Sequence, residues 1–367
     1  MWLEAGGIAL YIVQRLCFLR PRIVSRMLYS LLRFFLFLLP AETSHDLGLK
    51  GLRLLHSLGL LGLLKPAVPA APVTAFGLLF DNPVGLAAGL DKNADYLDAL
   101  GALGFGFVEV GTVTPKPQSG NAKPRLFRLA RERAVINRMG FNNKGVDHMV
   151  AQLQRRRFRG IVGVNIGKNL TTKVEDAASD YLYCLRKVYA HADYIVVNLS
   201  SPNTPGLRSL QFGEQLEALL QQLLAERDAL SVRQGRMVPL LLKIAPDLTP
   251  EEVAGIAATV RKCGIDGVIA TNTTLSRDGV EQSPYRNEAG GLSGAPLTKA
   301  STTVLAQLVH ALDGSMPVIG VGGIVEGGDA AAKLDAGAVL VQLYSGFIYR
   351  GPELIADCVR ALQQRHG

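Results

Sequence analysis

From residue 83 onward the chain alternates between short apolar runs and longer stretches in which apolar residues recur at helical spacing. The runs carry apolar residues at consecutive positions, so both faces of each predicted strand would be buried. That pattern is typical of a parallel sheet covered by helices. The eight runs span residues 83–90, 105–113, 161–167, 194–200, 239–245, 267–273, 317–324 and 338–346.

The stretches between these runs carry helix signals. Leucines at 216, 219, 220, 223 and 224 form one apolar stripe. Thr249, Pro250 and Glu252 form a capping box with proline at the first helical position, and the last helix is predicted at 352–365. Eight strands alternating with helices predict a (β/α)8 TIM barrel of the α/β class. A doubly wound sheet is the alternative, but no G-x-G-x-x-G follows the first strand.

The first 64 residues follow a different pattern. Residues 1–39 are apolar but interrupted by arginines, and the apolar run at 27–40 is shorter than the ~20 residues that span a bilayer. A signal peptide is one interpretation, although no clear cleavage site follows it. The favoured interpretation is a helical segment lying in the membrane interface, with Met27 as a candidate second start.

Leucines at 47, 54, 55 and 58 predict a second short helix in this part of the chain, and the proline-rich KPAVPAAP at 65–72 marks a boundary after it. We therefore predict three parts. An apolar helical extension for membrane association spans 1–64. A linker and barrel-bottom segment spans 65–82, and the barrel spans 83–367.

The formal net charge of the chain is +8, and residues 1–40 supply half of it. A basic, apolar terminus suits an anionic membrane surface. The basic run at 155–159 closes a predicted helix and is expected to be a solvated helix end, so no nucleic-acid partner is predicted. The four cysteines and six histidines lack metal or iron–sulfur spacing, so no metal is predicted.

Polar side chains gather at the carboxyl ends of the predicted strands, where (β/α)8 barrels carry their catalytic groups. Any one of them could be a cap or a turn residue, but turns alone hardly explain their presence on nearly every strand. The side chains in question are Asp91, Lys92, Asn93, Thr112, Asn165, Asn198, Ser201, Asn203, Lys243, Thr271, Asn272, Thr273, Tyr344 and Ser345.

Two glycine-containing pairs, Gly322-Gly323 and Ser345-Gly346, follow the seventh and eighth strands and precede helices. Loops at these positions form the usual phosphate site of this fold, through free backbone N–H groups and helix dipoles. We therefore expect a phosphorylated ligand or cofactor. Gly294 is another position at which backbone could approach it closely.

Lys243 lies inside the apolar strand LLLKIA, where a buried ammonium is costly without a partner. A structural ion pair is one explanation. The other is a cation that faces negative charge developing on a cofactor ring, such as N1 of a reduced flavin. The amides of Asn137, Asn198, Asn203 and Asn272 suit a planar substrate rich in amide groups.

The turn after the fourth strand, NLSSPNTPGLR at 198–208, contains no carboxylate or histidine. Hydroxyls are its candidates for proton transfer, so Ser201 is predicted to be the general base, although a serine needs desolvation and a proton relay for that role. Pro202 and Pro205 fix the turn and hold the hydroxyl in place.

Eight segments of this chain resemble the dihydroorotate dehydrogenases, in the same order, and the resemblance runs from about residue 41 to the end. The segments are AAGLDKN (87–93), VINRMGFNNKG (135–145), VNLSSPNTPGLR (197–208), KIAPDL (243–248), ATNTT (270–274), GGLSG (290–294), GVGGI (320–324) and QLYSGFIYRGP (342–352). Serine at 201, where soluble class 1 enzymes typically place cysteine, favours the membrane-associated, quinone-dependent class 2. The apolar N-terminal module favours it too, and the absence of a cysteine cluster argues against iron–sulfur transfer to NAD.

The resemblance implies oxidation of dihydroorotate to orotate in pyrimidine (UMP) biosynthesis. One FMN per chain would take a hydride at N5 while Ser201 removes the C5 proton, and a membrane quinone would reoxidise the flavin. The implied cofactor residues are Ala88, Gly89, Leu90, Asp91, Lys92, Thr112, Asn165, Asn198, Lys243, Thr271, Gly294, Gly323, Tyr344 and Ser345. The implied substrate residues are Lys92, Asn137, Arg138, Met139, Gly140, Phe141, Asn198, Asn203, Asn272 and Thr273.

In this family the quinone enters between the N-terminal helices, and the matching residues are His45, Arg128 and Tyr344. Taken alone, His45 is more simply a polar residue at a helix start. The resemblance further implies a monomer bound peripherally to the membrane, at the cytoplasmic face of the inner membrane in a bacterium. It does not extend to residues 1–26. The alternatives are a class 1 enzyme that uses fumarate and a membrane-bound phosphate-ligand binding protein without turnover.

Overall fold

The computed structural model describes residues 21–366, with side chains described for residues 25–365. Strands are numbered along the chain. A short antiparallel hairpin, β1 (Val73–Ala75) and β2 (Leu78–Phe80), precedes the barrel. Eight parallel strands then form a closed barrel, and β13 pairs with β3 to complete it. These strands are β3 (Val84–Leu86), β4 (Phe107–Val113), β7 (Ile161–Ile166), β8 (Tyr194–Asn198), β9 (Leu240–Ile244), β10 (Gly267–Ala270), β12 (Val318–Val321) and β13 (Leu340–Leu343).

Each barrel strand lies within one of the eight apolar runs, so the predicted (β/α)8 fold is confirmed. The predicted helices are also present, with the leucine stripe buried on one helix and the capping box formed at Thr249 of another. The helices are α1 (Pro21–Phe37), α2 (Ala41–Ser57), α3 (Leu97–Gly101), α4 (Val146–Arg155), α5 (Ala177–Val188), α6 (Gly213–Gln234), α7 (Pro250–Cys263), α8 (Thr298–Leu312), α9 (Gly327–Asp335), α10 (Ser345–Arg350) and α11 (Glu353–His366).

The core has two layers because consecutive side chains of a strand point to opposite faces. One set packs outward against the helices. The other fills the barrel interior with bulky apolar residues, including Phe107, Tyr194, Leu241 and Leu340. Two positions further along their strands, the interior turns polar with Glu109, Lys243 and Gln342. Because the interior changes from apolar to polar along the strands, the polar side chains lie at one end of the barrel.

A three-stranded antiparallel sheet was not predicted from the sequence. It consists of β5 (Leu126–Leu129), β6 (Ala134–Asn137) and β11 (Gly291–Gly294), with β6 in the middle. The GGLSG segment therefore contains strand β11, and the pairing of β11 with β6 brings distant parts of the chain together. Residues 134–137 and 291–294 lie next to one another as a result.

The two N-terminal helices pack on each other and on the barrel. Ser44 Oγ donates a hydrogen bond to the carbonyl of Leu36 at 2.5 Å, and Tyr29 donates to the carbonyl of Ile348 at 2.6 Å. Within residues 21–366, none of the helices combines the length and apolarity that a membrane crossing requires. The interpretations of residues 1–20 lie outside the described residues, and the three-part division of the chain remains a prediction.

Candidate active site

A cleft opens at the carboxyl ends of the barrel strands. The hydroxyl of Ser201 and the ammonium of Lys243 both line it, so the two residues that the sequence singled out for chemistry share one cavity. The predicted site residues that line the cleft are Ala88, Gly89, Lys92, Thr112, Asn137, Met139, Gly140, Phe141, Asn198, Ser201, Asn203, Lys243, Thr271, Asn272, Thr273, Gly294, Gly323, Tyr344 and Ser345.

Four of the predicted site residues do not line the cleft, and their roles in binding remain predictions. Leu90 lines a second, apolar cavity instead. The Asp91 carboxylate is buried and accepts hydrogen bonds from three backbone N–H groups, at positions 93, 95 and 96. Asn165 is fully buried behind the cleft-lining residues. The Arg138 guanidinium turns away to Glu288, at 2.6 Å, and stacks over the Phe127 ring.

Ser201 follows β8 in a turn that holds its side chain at the cleft. It is 5% exposed, and its Oγ accepts a hydrogen bond from the backbone N–H of Asn203 at 3.2 Å. Among the described residues, the Ser201 hydroxyl donates to no protein atom. A backbone donor aimed at Oγ stabilises negative charge that develops there during proton abstraction.

The amides around Ser201 are fixed by one another. Asn198 donates through Nδ2 to Thr112 Oγ1 at 2.9 Å, and its Oδ1 accepts from the Ser200 hydroxyl at 2.8 Å. Ser200 in turn accepts from Asn272 Nδ2 at 2.9 Å. Asn203 reaches across to the Asn137 backbone carbonyl at 3.2 Å. The hydrogen-bonding groups of the cleft are therefore preorganised, which lowers the entropy cost of orienting a bound ring.

Lys243 forms the structural ion pair that one explanation requires, and its place in the cleft is compatible with the other, which remains a prediction. Its Nζ lies 3.7 Å from Glu109 Oε1 in a buried ion pair, and the residue also lines the cleft. The sequence analysis missed Glu109 and Gln342, although each carried the same signal as Lys243. Both are single polar residues inside otherwise apolar strands, FVEV and LVQL.

Two glycines of the cleft leave no room for a side chain. Gly323 has φ +78°, and a Cβ there would lie 2.3 Å from the backbone N of Thr298. Gly294 has φ +101°, and a Cβ would lie 2.2 Å from the carbonyl oxygen of Arg133. The positive φ and the close protein neighbours therefore require glycine at these two positions, where the chain lines the cleft.

Lys92 contributes a second cation to the cleft. Its pKa is lowered to about 8, mainly by burial and then by the nearby Arg125, while Glu42 acts in the opposite direction. Within residues 25–365, no side chain or carbonyl forms a hydrogen bond or an ion pair with its ammonium group. An anionic group of a ligand would be its natural partner and would raise its pKa.

A second cavity of about 300 Å³ lies between the N-terminal helices and the barrel. It is lined mainly by leucines, and the three residues predicted for the quinone, His45, Arg128 and Tyr344, all face it. Burial lowers the pKa of His45 to about 3, with a smaller contribution from Lys92, so this imidazole is neutral at pH 7. Tyr344 lines both cavities and therefore stands between them.

These features define a (β/α)8-barrel enzyme with a polar cleft at the barrel mouth and an apolar cavity behind it. The chain belongs to the dihydroorotate dehydrogenase family, whose model matches residues 70–365. The family that the sequence segments suggested is thereby confirmed.

Curated relatives agree with this assignment. The chain is 59% identical over 339 residues to a dihydroorotate dehydrogenase (quinone) of Cellvibrio japonicus, covering 92% of this chain and 99% of that protein. It is 57% identical over 335 residues to a protein of the same name from Pseudomonas aeruginosa, covering 91% and 98%. A solved structure of DHODH from Eimeria tenella in complex with ferulenol superposes with a TM-score of 0.81 at 39% identity, covering 88% of this chain and 91% of that one.

Proposed function

We propose that this chain oxidises dihydroorotate to orotate with FMN as its cofactor and a membrane quinone as the electron acceptor. The relatives named dihydroorotate dehydrogenase (quinone) support the reaction and the acceptor. The observation that carries the proposal is the shared cleft of Ser201 and Lys243, separated by Tyr344 from an apolar cavity. One cavity suits a polar ring and the other suits an apolar quinone.

The residues of the cleft fit FMN. The family is flavin-dependent. Gln342 lines the cleft, and its buried Oε1 has no hydrogen-bond partner within residues 25–365, as expected of an acceptor that a ring N–H would satisfy. Gly323 and Ser345 line the cleft, where their backbone N–H groups would bind the phosphate. When bound, FMN supplies the hydride acceptor for the substrate and passes electrons on to the quinone.

The remaining groups of the cleft suit dihydroorotate, a ring with amide edges and a carboxylate. Asn137, Asn198, Asn203 and Asn272 would donate to and accept from the amide edges, and Lys92 would bind the carboxylate. Ser201 would remove the C5 proton while its Oγ is stabilised by the Asn203 N–H. The low exposure of Ser201, 5%, would limit the access of water to this proton transfer.

We further propose that the protein is a monomer that binds peripherally to the membrane through α1 and α2. Large apolar side chains of this region are exposed, including Met27 at 62%, Phe34 at 59% and Leu38 at 69%. Arginines flank them in α1, which suits an anionic lipid surface. The apolar cavity between these helices and the barrel would admit the quinone directly from the bilayer.

The test is dihydroorotate oxidation by the purified protein, assayed with a quinone, fumarate and NAD side by side. We expect a yellow protein that reduces the quinone at least tenfold faster than either soluble acceptor. Preference for fumarate would favour a class 1 enzyme. A colourless protein that takes up no FMN would favour a binding protein without turnover.

A further inference from the structure

Glu109 is a carboxylate with no solvent exposure in the barrel interior. Its Oε1 accepts a hydrogen bond from Asn165 at 2.8 Å and lies 3.7 Å from the Lys243 ammonium. Its Oε2 accepts from Gln342 Nε2 at 2.5 Å and from the Tyr194 hydroxyl at 3.3 Å. One carboxylate thus joins side chains from four other strands of the barrel.

Stability alone does not explain this arrangement. A buried ion pair loses much of its attraction to desolvation, and apolar residues of similar volume are often at least as stable. A fully connected buried network does fix the positions of its members. Buried charged groups beside a cleft also cluster at functional sites.

Two of the Glu109 partners, Lys243 and Gln342, line the cleft. Glu109 accepts from the Nε2 of Gln342, which leaves Oε1 as the acceptor of this amide, and the buried Oε1 has no hydrogen-bond partner in the described part of the chain. Glu109 therefore sets the position of one cation and the orientation of one amide that face the proposed flavin. It does so without lining the cleft itself.

We propose that Glu109 is a positioning residue that orients Lys243 and Gln342 and, as the buried counter-charge of Lys243, lowers the reduction potential of the bound flavin. The inference rests on the proposed function, because it requires a flavin in the cleft. A negative charge in a low-dielectric interior disfavours electron addition to a nearby group. Glu109 thereby keeps the reduced flavin a ready electron donor to the quinone.

The first test is the reduction potential of FMN bound to Glu109→Gln, measured anaerobically against reference dyes. We expect the ratio of reduced to oxidised flavin at a fixed potential to rise at least tenfold, which is about 30 mV for a two-electron couple. The matched control is Asp266→Asn. It removes a carboxylate that hydrogen-bonds the backbone N of Leu240, at the start of the strand that carries Lys243, and we expect less than a threefold change. A Glu109→Gln protein that binds FMN at the wild-type potential would show that Glu109 is only structural.

A second pair of variants tests the inference even if Glu109→Gln does not fold. Lys243→Met should lower the potential, and Glu109→Gln/Lys243→Met, which removes both charges, should return it to within threefold of the wild-type ratio. Equal potentials for Lys243→Met and the double variant would overturn the proposal, because Glu109 would then have no effect on the flavin.

These measurements use FMN alone and need no substrate, so they separate the two proposals. A wild-type protein that binds FMN but is not reduced by dihydroorotate would contradict the proposed function, and the potentials would still decide the role of Glu109. A wild-type protein that takes up no FMN would overturn both.

Discussion

Arg128 attaches the N-terminal helices to the barrel, so its removal should loosen them selectively. It extends from β5 to the end of α1, where it donates to the carbonyls of Leu36 and Phe37 at 3.3 and 3.2 Å and to that of Leu39. It also donates to Ser44 Oγ at 3.1 Å and lies 4.5 Å from the centroid of the Phe37 ring. The positive charge at the carboxyl end of α1 is favourable as well.

The magnitude follows from these contacts. A hydrogen bond to a charged group contributes about 1.5–3 kcal/mol when it is buried, and the lower value applies here because Arg128 is only half-buried. Two such bonds to Leu36 and Phe37, with about 0.5–1 kcal/mol for the ring contact, give about 4 kcal/mol. Since 1.4 kcal/mol is a factor of ten, the helices of Arg128→Met should open several hundredfold more often.

Hydrogen exchange measures this opening directly. We expect protection in residues 25–57 of Arg128→Met to fall by up to several hundredfold while the barrel strands keep theirs. Quinone turnover should fall, whereas turnover with a small water-soluble dye as acceptor should persist. Arg131→Met is the matched control, because Arg131 is exposed in the adjacent β5–β6 turn. Unchanged exchange in residues 25–57 would refute the assignment of Arg128 as the attachment point.

Three further predictions follow from the same structure. Deleting residues 1–64 should abolish quinone reduction while the barrel still binds FMN, and unchanged quinone turnover would contradict the role of the second cavity. Gly323→Ala should weaken FMN binding at least tenfold in an equilibrium titration, because its Cβ would meet Thr298, whereas Gly255→Ala, with open space around it, should leave FMN binding unchanged. Burial raises the pKa of Asp91 to about 6 from 3.8, so the folded state binds its proton more tightly than the unfolded state does. The unfolding free energy should therefore fall by up to about 3 kcal/mol as pH rises from 4 to 6, because Asp91 loses its proton. Chemical denaturation of Asp91→Asn should not show this fall.

The eight barrel strands were predictable because they are apolar on both faces, and helices cover them on the outside while the interior is filled. The cleft was predictable for a related reason. Parallel strands all point their carboxyl ends to one side, so polar residues that end strands, such as Asn198 and Lys243, must converge. Neither inference requires knowledge of long-range contacts.

The remaining parts depend on contacts that a local pattern does not contain. The β6–β11 pairing joins segments far apart in sequence, and no turn signal connects them. The direction of Arg138 is set by Glu288, in a distant loop. The carboxylate of Asp91 accepts hydrogen bonds from backbone N–H groups of its own turn. These bonds depend on the geometry of the turn, which the residue type alone does not reveal. Glu109 was identifiable as a lone charge in an apolar strand, but its partners were not.

The central claim is that Ser201 is the base that acts on dihydroorotate in the cleft, and flavin bleaching measures it most directly. FMN-loaded protein is mixed anaerobically with dihydroorotate, and the flavin absorbance is followed in wild type, Ser201→Ala and Ser209→Ala, an exposed serine of the following turn. A general base contributes about 10²–10⁴-fold, so Ser201→Ala should keep its full FMN content and bleach slower by that factor, while Ser209→Ala bleaches like wild type. Bleaching of Ser201→Ala at the wild-type rate, or a wild-type flavin that dihydroorotate does not bleach, would contradict the claim.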